Sequence, residues 1–519
     1  MRKKLLPFVL VVLLVMQLMA GCGRDESSGT SASAGSSETS AAASTQPEID
    51  NSKFVELKMV MTGPEMDDYK NIMGMVNTKL KEDLNAALDV EFLDWSVFQT
   101  KYPLKFASGE EFDLCYTSNW CFYQPQALKG AYLELTMDDI KKYMPRTYEN
   151  VTEDMWNGVK IKNKIYMVPQ TGLQFTGDHN VYLVRGDLMS KYGVSEIKTA
   201  NDMINYWDKV VANDPDIVPI AINAAWWGYW ITTSIMPYPW LGENYGNGYY
   251  QVYDVSDANN IKIIPDDEFW EYSIERFKLA KEFQQKGYWS KDALTQQDDC
   301  KVMFQNGASA TVISSLTECN ALYETVNANH PDWKPTLVDI NPDMPAVFYP
   351  VTGDGMALHA TTKNKERAMQ VLDIIGYDQV YYDLIYYGVK DQDYTLNADG
   401  SYTKIGDGVN VGFRGMNNKL ARLSTAVAPN YKELLERFVK NGMYPKVHAF
   451  NFDNTNVVDI AAAISSVEAK YDPILQMGFA DDVEGTVNAM KKELEAAKVE
   501  DYRAESKKQL EQYMKTYGK

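Results

Sequence analysis

The chain has 519 residues, too many for a single hydrophobic core, so two or three domains are expected. Hydrophobic residues make up 45% and charged residues 24%, an ordinary globular balance, and beyond the first stretch no apolar run is long enough to span a bilayer. The formal charge of −20 argues against nucleic acid, whose binding needs basic surface. It suits a neutral or cationic ligand and serves solubility equally well.

At the start, Arg2, Lys3 and Lys4 form a basic head, Leu5 to Met19 is an almost unbroken apolar run, and Ala20 and Gly21 precede Cys22. This is the three-part layout of an export signal, with an apolar core shorter than the roughly 20 residues of a membrane span. Leu18-Met19-Ala20-Gly21-Cys22 resembles a bacterial lipobox, the site of lipid attachment and cleavage in lipoproteins, with Met19 where Leu is usual. The alternative is an ordinary signal with an incidental cysteine. The lipobox reading makes residues 1–21 a signal peptide and Cys22 the lipid attachment site, and loss of three cations brings the mature charge near −23. The protein is then anchored on the extracellular face of the cell membrane.

Gly23 to Asp50 is rich in Ser, Ala, Thr and Gly and cannot bury enough apolar surface to fold, so residues 22–52 read as a flexible, lipid-anchored tether. Five cysteines do not make a disulfide scaffold in a chain of this size. Cys115, Cys121, Cys300 and Cys319 either pair or serve as small core residues.

Folded structure is expected from Phe54. Val55, Leu57, Met59 and Met61 alternate with Glu56 and Lys58, the period of a strand; a helix from about Asp67 to Leu88 follows, and Val90-Glu91-Phe92 reads as a second strand. Strand, helix, strand at this spacing implies a parallel sheet. In the stretch from Phe106 to Tyr116 a helix ends, Gly109 caps it and a third strand begins. Asn119 and Trp120 fall just past the carboxyl end of that strand, where open α/β sheets place their ligands. Farther on, the spacings of Trp270, Ile274 and Phe277, of Ala368, Val371, Leu372 and Ile375, and of Val487, Met490, Leu494 and Ala497 make helical core stripes.

A series of blocks stands out in order: Ala107-Ser108-Gly109-Glu110 with Phe112-Asp113, Gly130 to Leu135, and Trp156-Asn157-Gly158 followed by Asn163 to Pro169. Tyr182 to Leu188, Met303 to Ala310 and Lys363 to Met369 continue the series. Together these blocks resemble the extracellular solute-binding proteins of bacterial ABC importers, in the carbohydrate-associated family that includes maltose-binding protein. Asn163 replaces the usual Gly, so its turn must reach positive φ with Asn, and Lys365 stands in place of the usual Pro. Tyr381 to Val389 and the stretch from Phe479 resemble a domain appended in lipoproteins of Firmicutes.

The resemblance implies an α/β, two-lobed, type II periplasmic-binding-protein-like fold with a ligand cleft between lobes joined by a hinge. It places residues 53–169 and about 355–425 in the N-terminal lobe, and 170–354 and about 426–519 in the C-terminal lobe. It also implies capture of a solute, foremost an oligosaccharide, by hinge closure, and delivery to ABC permease subunits in the membrane by a monomeric protein.

Pyranose rings present an apolar C–H face to Trp or Tyr and a belt of hydroxyls to Asp, Asn, Gln or Arg. Ten aromatics fall between Trp226 and Tyr253, among them Trp226, Trp227, Trp230 and Trp240. Interspersed Gly and Pro mark much of this block as loop, so these tryptophans are either an exposed platform or the second lobe's own core. Asn119 and Trp120 are further candidates. Trp95 ends the second strand, facing either the cleft or the sheet's packing layer. Gln170 follows the hinge strand, Asp354 is a ligand residue or a turn aspartate near the return crossing, and Phe452 precedes the last helices.

Signs of catalysis are few. The sequence has no phosphate-binding Gly-rich loop, no His-Glu-x-x-His and no Gly-x-Ser-x-Gly, and its four histidines stand far apart. Asp391, Asp393, Asn397 and Asp399 lack the calcium-loop pattern and read as a polar hairpin turn. No enzyme activity, cofactor or metal is therefore expected. The competing readings are a surface-attached glycan-active enzyme or adhesion protein, and a peptide-binding importer component.

Overall fold

The computed structural model describes residues 50–517, except 96, 173–179, 224–226, 238–239, 244–250, 255–256, 263–265, 349–350, 407, 410, 414–416, 444–449 and 451. The leader, Cys22 and the tether up to residue 49 lie outside the described residues.

Strand β1 (Val55–Thr62) alternates exposed and buried positions only in its first half; from Met59 on every residue is buried. The reason is pairing on both sides. β2 (Ala86–Leu93) runs parallel to β1 over its whole length, and β3 (Leu114–Thr117) pairs with Met59 and Val60 on the other edge. Helix α1 (Tyr69–Leu84) connects β1 to β2 and stops four residues before the expected Leu88. Asn85 turns left-handed at φ 48°, and its side-chain amide donates to the carbonyls of Asn51 and Ser52. Ala86 to Leu88 then join the sheet. The guanidinium of Arg367 caps the open end of α1 by donating to the Leu84 and Asn85 carbonyls.

Helix α2 (Phe98–Ala107) leads to β3 by way of Gly109 at φ 74°, as its role beyond the helix end requires. Farther on, the hairpin Lys160–Ile161/Lys164–Ile165 turns on Lys162 (φ 50°) and Asn163 (φ 64°), so the Asn does take the left-handed conformation. Strands β4 (Val168–Pro169), β5 (Val181–Val184), β6 (Val218–Ile220), β7 (Ser309–Ser314), β8 (Thr336–Val338) and β9 (Gly355–Leu358) follow. They fall into two sheets, ordered β2-β1-β3-β9-β4 and β8-β5-β7-β6. The chain leaves the first sheet after Pro169 and returns to it at Gly355, giving a two-lobed α/β fold.

Helix α3 (Trp227–Ile235) and an antiparallel sheet of Trp240–Glu243, Gln251–Asp254 and Asp257–Lys262 occupy the aromatic block. Among the described residues of the block, Gly228 lies inside this helix and Gly242 inside the first of these strands, so neither glycine marks loop; Gly246, Gly248 and Pro239 lie outside the described residues.

Helix α4 (Asp266–Lys286) buries Trp270 and Phe277, with Ile274 packed beside them. Helix α5 (Lys365–Tyr377) buries Ala368, Val371, Leu372 and Ile375. Helix α6 (Gln379–Tyr387) joins α1 through the Tyr381 hydroxyl, which donates to Asp83 at 2.9 Å. The following hairpin, Tyr394–Leu396/Tyr402–Lys404, turns on polar residues as expected, with Asp399 accepting from the backbone and hydroxyl of Ser401. Its Lys404 pairs with Glu324 at 2.9 Å.

Helix α7 (Tyr431–Asn441) packs on the second sheet through Tyr431, Leu434 and Phe438. Helices α8 (Val458–Gln476), α9 (Val483–Ala496) and α10 (Val499–Tyr517) form a C-terminal layer that shares one core with α4; Val487, Met490 and Leu494 are buried in it. Cys115, Cys121, Cys300 and Cys319 are all buried, and none is in a disulfide. Burial raises the Cys115 thiol to about 12 against hydrogen bonds to Tyr102 and Ala357 that lower it, and it raises Cys300 and Cys319 as well, so these three thiols stay protonated in the core. No helix among the described residues is long and apolar enough to cross a membrane.

Candidate solute-binding site

The carboxyl ends of β2, β1 and β3 lie side by side, and the residues just past them make one aromatic surface. Gly63 follows β1 at φ 107°, a conformation that favours glycine, and a Cβ there would lie 3.4 Å from the Trp95 indole. Trp95 therefore seats over the end of the neighbouring strand. Its ring is 6.1 Å from that of Trp120, and Phe98 meets both edge-on at 5.4 and 6.2 Å.

Behind this pair Phe98 is buried, while Trp95 and Trp120 remain 40% and 37% exposed. Two half-open indoles backed by a phenylalanine wall form a platform. Exposed apolar surface of this kind, at the carboxyl edge of an open sheet, is where α/β proteins take ligands.

Polar groups stand at its border. The Trp120 indole N–H donates to the Gly353 carbonyl at 3.2 Å, and the Asn119 amide N–H donates to Thr352 at 2.7 Å. The Asn119 side-chain oxygen accepts from the Trp120 amide at 2.9 Å, which locks the turn that presents the indole. Asp354 accepts from the hydroxyl of Tyr116, a fully buried residue of β3. The Gln170 amide donates to the Asp354 carbonyl at 2.9 Å, so both segments running between the sheets meet here. Beside Gln170, the Thr171 hydroxyl donates to Asn417 at 2.6 Å.

Of the ten candidates, the structure thus brings together Trp95, Asn119, Trp120, Gln170 and Asp354. Trp226 lies outside the described residues, as do the side chains of Trp227 and Trp240. Trp230 is only half-open and packs against the core of the second sheet. Phe452 is corrected: it is 3% exposed and meets Tyr502 edge-on at 5.1 Å, which makes it a core residue of the C-terminal layer. It was selected only as an aromatic before a helical run, and that position is equally one that anchors helices.

Tyr116 and Gly63 belong to the site and escaped the sequence reading. A glycine directly after a buried strand, in Thr62-Gly63-Pro64, was the available signal for the second. Nothing in the sequence distinguishes Tyr116 from any other strand tyrosine. Among the described residues no three His, Cys, Asp or Glu side chains are grouped to hold a metal ion.

A protein of Streptococcus pneumoniae called "Carbohydrate ABC transporter substrate-binding protein" is 22% identical over 478 residues, covering 88% of this chain and 91% of that protein. The structure is similar to that of the N-glycan transport solute binding protein NgtS from Streptococcus pneumoniae in complex with Man1GlcNAc. The TM-score is 0.71 at 18% identity, over 89% of this chain and 100% of that one. The alginate-binding protein AlgQ2 is similar at a TM-score of 0.62 and 15% identity, over 88% of this chain and 98% of that one. A family model described as a domain of unknown function matches residues 446–515. A second model, for bacterial extracellular solute-binding proteins, matches residues 63–375, and the chain belongs to that family.

Proposed function

We propose that this protein captures an extracellular oligosaccharide and delivers it to an ABC permease. The observation that carries this reading is the pair of half-exposed indoles, Trp95 and Trp120, beside Asn119 and Asp354. Two adjoining, half-open aromatic faces with polar groups at the rim match the two chemistries of a pyranose ring. The glycan names carried by the similar structures support a sugar over a peptide.

Residues 53–169 and about 355–425 form the lobe that carries this platform, and 170–354 with about 426–519 form the opposing lobe. Closure of one onto the other buries the sugar, and the permease reads the closed state. The protein works as a monomer with no chemistry of its own, held at the extracellular face of the cell membrane by a lipid on Cys22.

A thermal-shift screen tests the ligand class, because a molecule that binds only the folded state raises its melting temperature. Man1GlcNAc, alginate oligosaccharides, xylo- and malto-oligosaccharides, and mixed peptides form the panel. Stabilisation by a glycan that is recovered intact is the expected outcome. Shortened glycan chains would establish an enzyme, and stabilisation by peptides alone would reassign the ligand. Loss of membrane association in Cys22→Ser checks the anchor.

A further inference from the structure

The C-terminal layer does more than fill out one lobe: it reaches the other. Asp453, just before α8, is held in place by its own layer. Gln509 of α10 accepts from the Asp453 amide at 2.9 Å and donates to its carbonyl at 2.8 Å. Asp453 Oδ1 accepts from the Thr455 amide at 3.0 Å. The neighbouring Phe452 ring sits in the layer's core against Tyr502. Oδ2 of Asp453 faces away from these partners and lies 3.4 Å from Nζ of Lys162. The Phe452 carbonyl accepts from the side-chain amide of Gln124.

Lys162 and Gln124 belong to the first lobe. The hairpin bearing Lys162 is tied to that lobe through the bridge between Leu135 and Ile165, and Leu133 donates to Leu358 of β9 at 2.8 Å. Tyr123, next to Gln124, donates its hydroxyl to the Val159 carbonyl beside the same hairpin. Lys162 also occupies a costly position. A side chain at φ 50° is disfavoured, and Gly or Asn is the usual choice in such a turn. Local folding gains nothing from lysine there, whereas an ammonium at a hairpin tip can meet a carboxylate on another body.

We propose that the C-terminal helical layer is a closure latch, in which Asp453 and the Phe452 carbonyl, both set by the layer itself, engage Lys162 and Gln124 when the lobes come together. The inference rests on the hinge-closing reading above and assigns a role to residues 446–515, whose family carries none. Both ends of the latch are pre-positioned, so little side-chain entropy is lost in making it beyond that of Lys162. An exposed ion pair is weak, which suits a contact that must also release.

A charge cycle read by small-angle scattering on the full-length, ligand-free protein tests the latch. K162E and D453K each place like charges face to face and should raise the radius of gyration, through about a threefold shift in the open-to-closed ratio at low salt. The double variant K162E/D453K restores the attraction and should return the radius to that of the wild type. Equal radii in all four proteins, or a double variant as expanded as the singles, would overturn the latch. Thermal melting of each variant establishes that it is folded. No glycan enters the measurement, so its failure leaves the ligand assignment standing, and failure of the glycan screen leaves this result readable.

Discussion

The hydroxyl of Tyr116 donates to a carboxylate oxygen of Asp354, linking the middle of the first sheet to the segment by which the chain re-enters it. Tyr116 is fully buried, so the bond holds Asp354 from the sheet side, beside Trp120, whose ring lies 5.7 Å from that of Tyr116. Tyr116→Phe keeps the ring and removes only this donor. Hydrogen bonds to charged groups contribute roughly 1.5–3 kcal/mol to the folded state, so the melting temperature should fall, and glycan affinity should fall with it because Asp354 loses its fixed orientation. Calorimetric titration beside a thermal melt separates the cases. A melting temperature that drops with affinity untouched would make the bond purely structural.

Trp95 and Trp120 form the open face of the site, and each keeps a large part of its ring in solvent. At 40% and 37% exposure more than half of each residue is already packed in the fold, so removing an indole also lowers the melting temperature, and the open remainder is what a ligand can cover. Covering about 60 Å² of ring at 25 cal/mol per Å² is worth roughly 1.5 kcal/mol, so Trp95→Ala and Trp120→Ala should each weaken glycan binding by about tenfold. Unchanged dissociation constants in both variants would remove the platform from the binding site.

Helix α3 packs with Gly228 directly on the C-terminal end of α8. A Cβ at that position would lie 2.7 Å from the Gln476 carbonyl oxygen, which is backbone and cannot swing aside. Replacing Gly by Ala inside a helix ordinarily stabilises it by about 1 kcal/mol. Here the sign should reverse, with a loss of roughly 1–3 kcal/mol from the forced separation of the two helices. Urea denaturation of Gly228→Ala measures it, and a midpoint at or above that of the wild type would contradict the packing.

Burial raises the carboxyl group of Asp472 on α8 to about 6, against the opposing pull of the Arg276 cation. In the unfolded chain the group titrates near 3.9. Between these values the native state holds the proton and the unfolded state does not, so this group's contribution to stability declines as pH rises from about 4 to about 6. Asp472→Asn abolishes that decline. The stability of the variant minus that of the wild type should rise by roughly 2–3 kcal/mol across this window and stay flat above it. A difference independent of pH would place Asp472 in water.

Much of the fold was legible because it depends on local periodicity. The strand from Val55 and the stripe Ala368-Val371-Leu372-Ile375 were readable from side-chain spacing, and the positive φ of Asn163 from the resemblance to the family's turn; each stands in the structure, whereas the positive φ of Lys162 was not foreseen. Helix α1 was read too long because Asn85 to Leu88 carry no strong stop signal. What ends the helix is Asn85 turning left-handed, with Arg367 arriving from almost three hundred residues away to cap it.

The candidate site divides the same way. Trp120 was singled out by its place after a strand, and the structure sets it beside Trp95. Phe452 was selected as an aromatic before a helical run and is core, while Trp230 leans on the core of the second sheet with part of its ring open: a ring is equally able to cover a sugar or a helix, and only its neighbours determine which.

Composition and order along the chain therefore determined the family, the parallel pairing of β2, β1 and β3 and the polar character of the opening tether, whereas the antiparallel pairing of β9 with β3 and β4 was not legible. Only the tertiary structure decided that Trp95 and Trp120 share one surface, that Tyr116 holds Asp354, and that Lys162 meets Asp453. These partners are brought together from distant parts of the chain by sheet pairing and helix packing, and no local pattern encodes a contact between them.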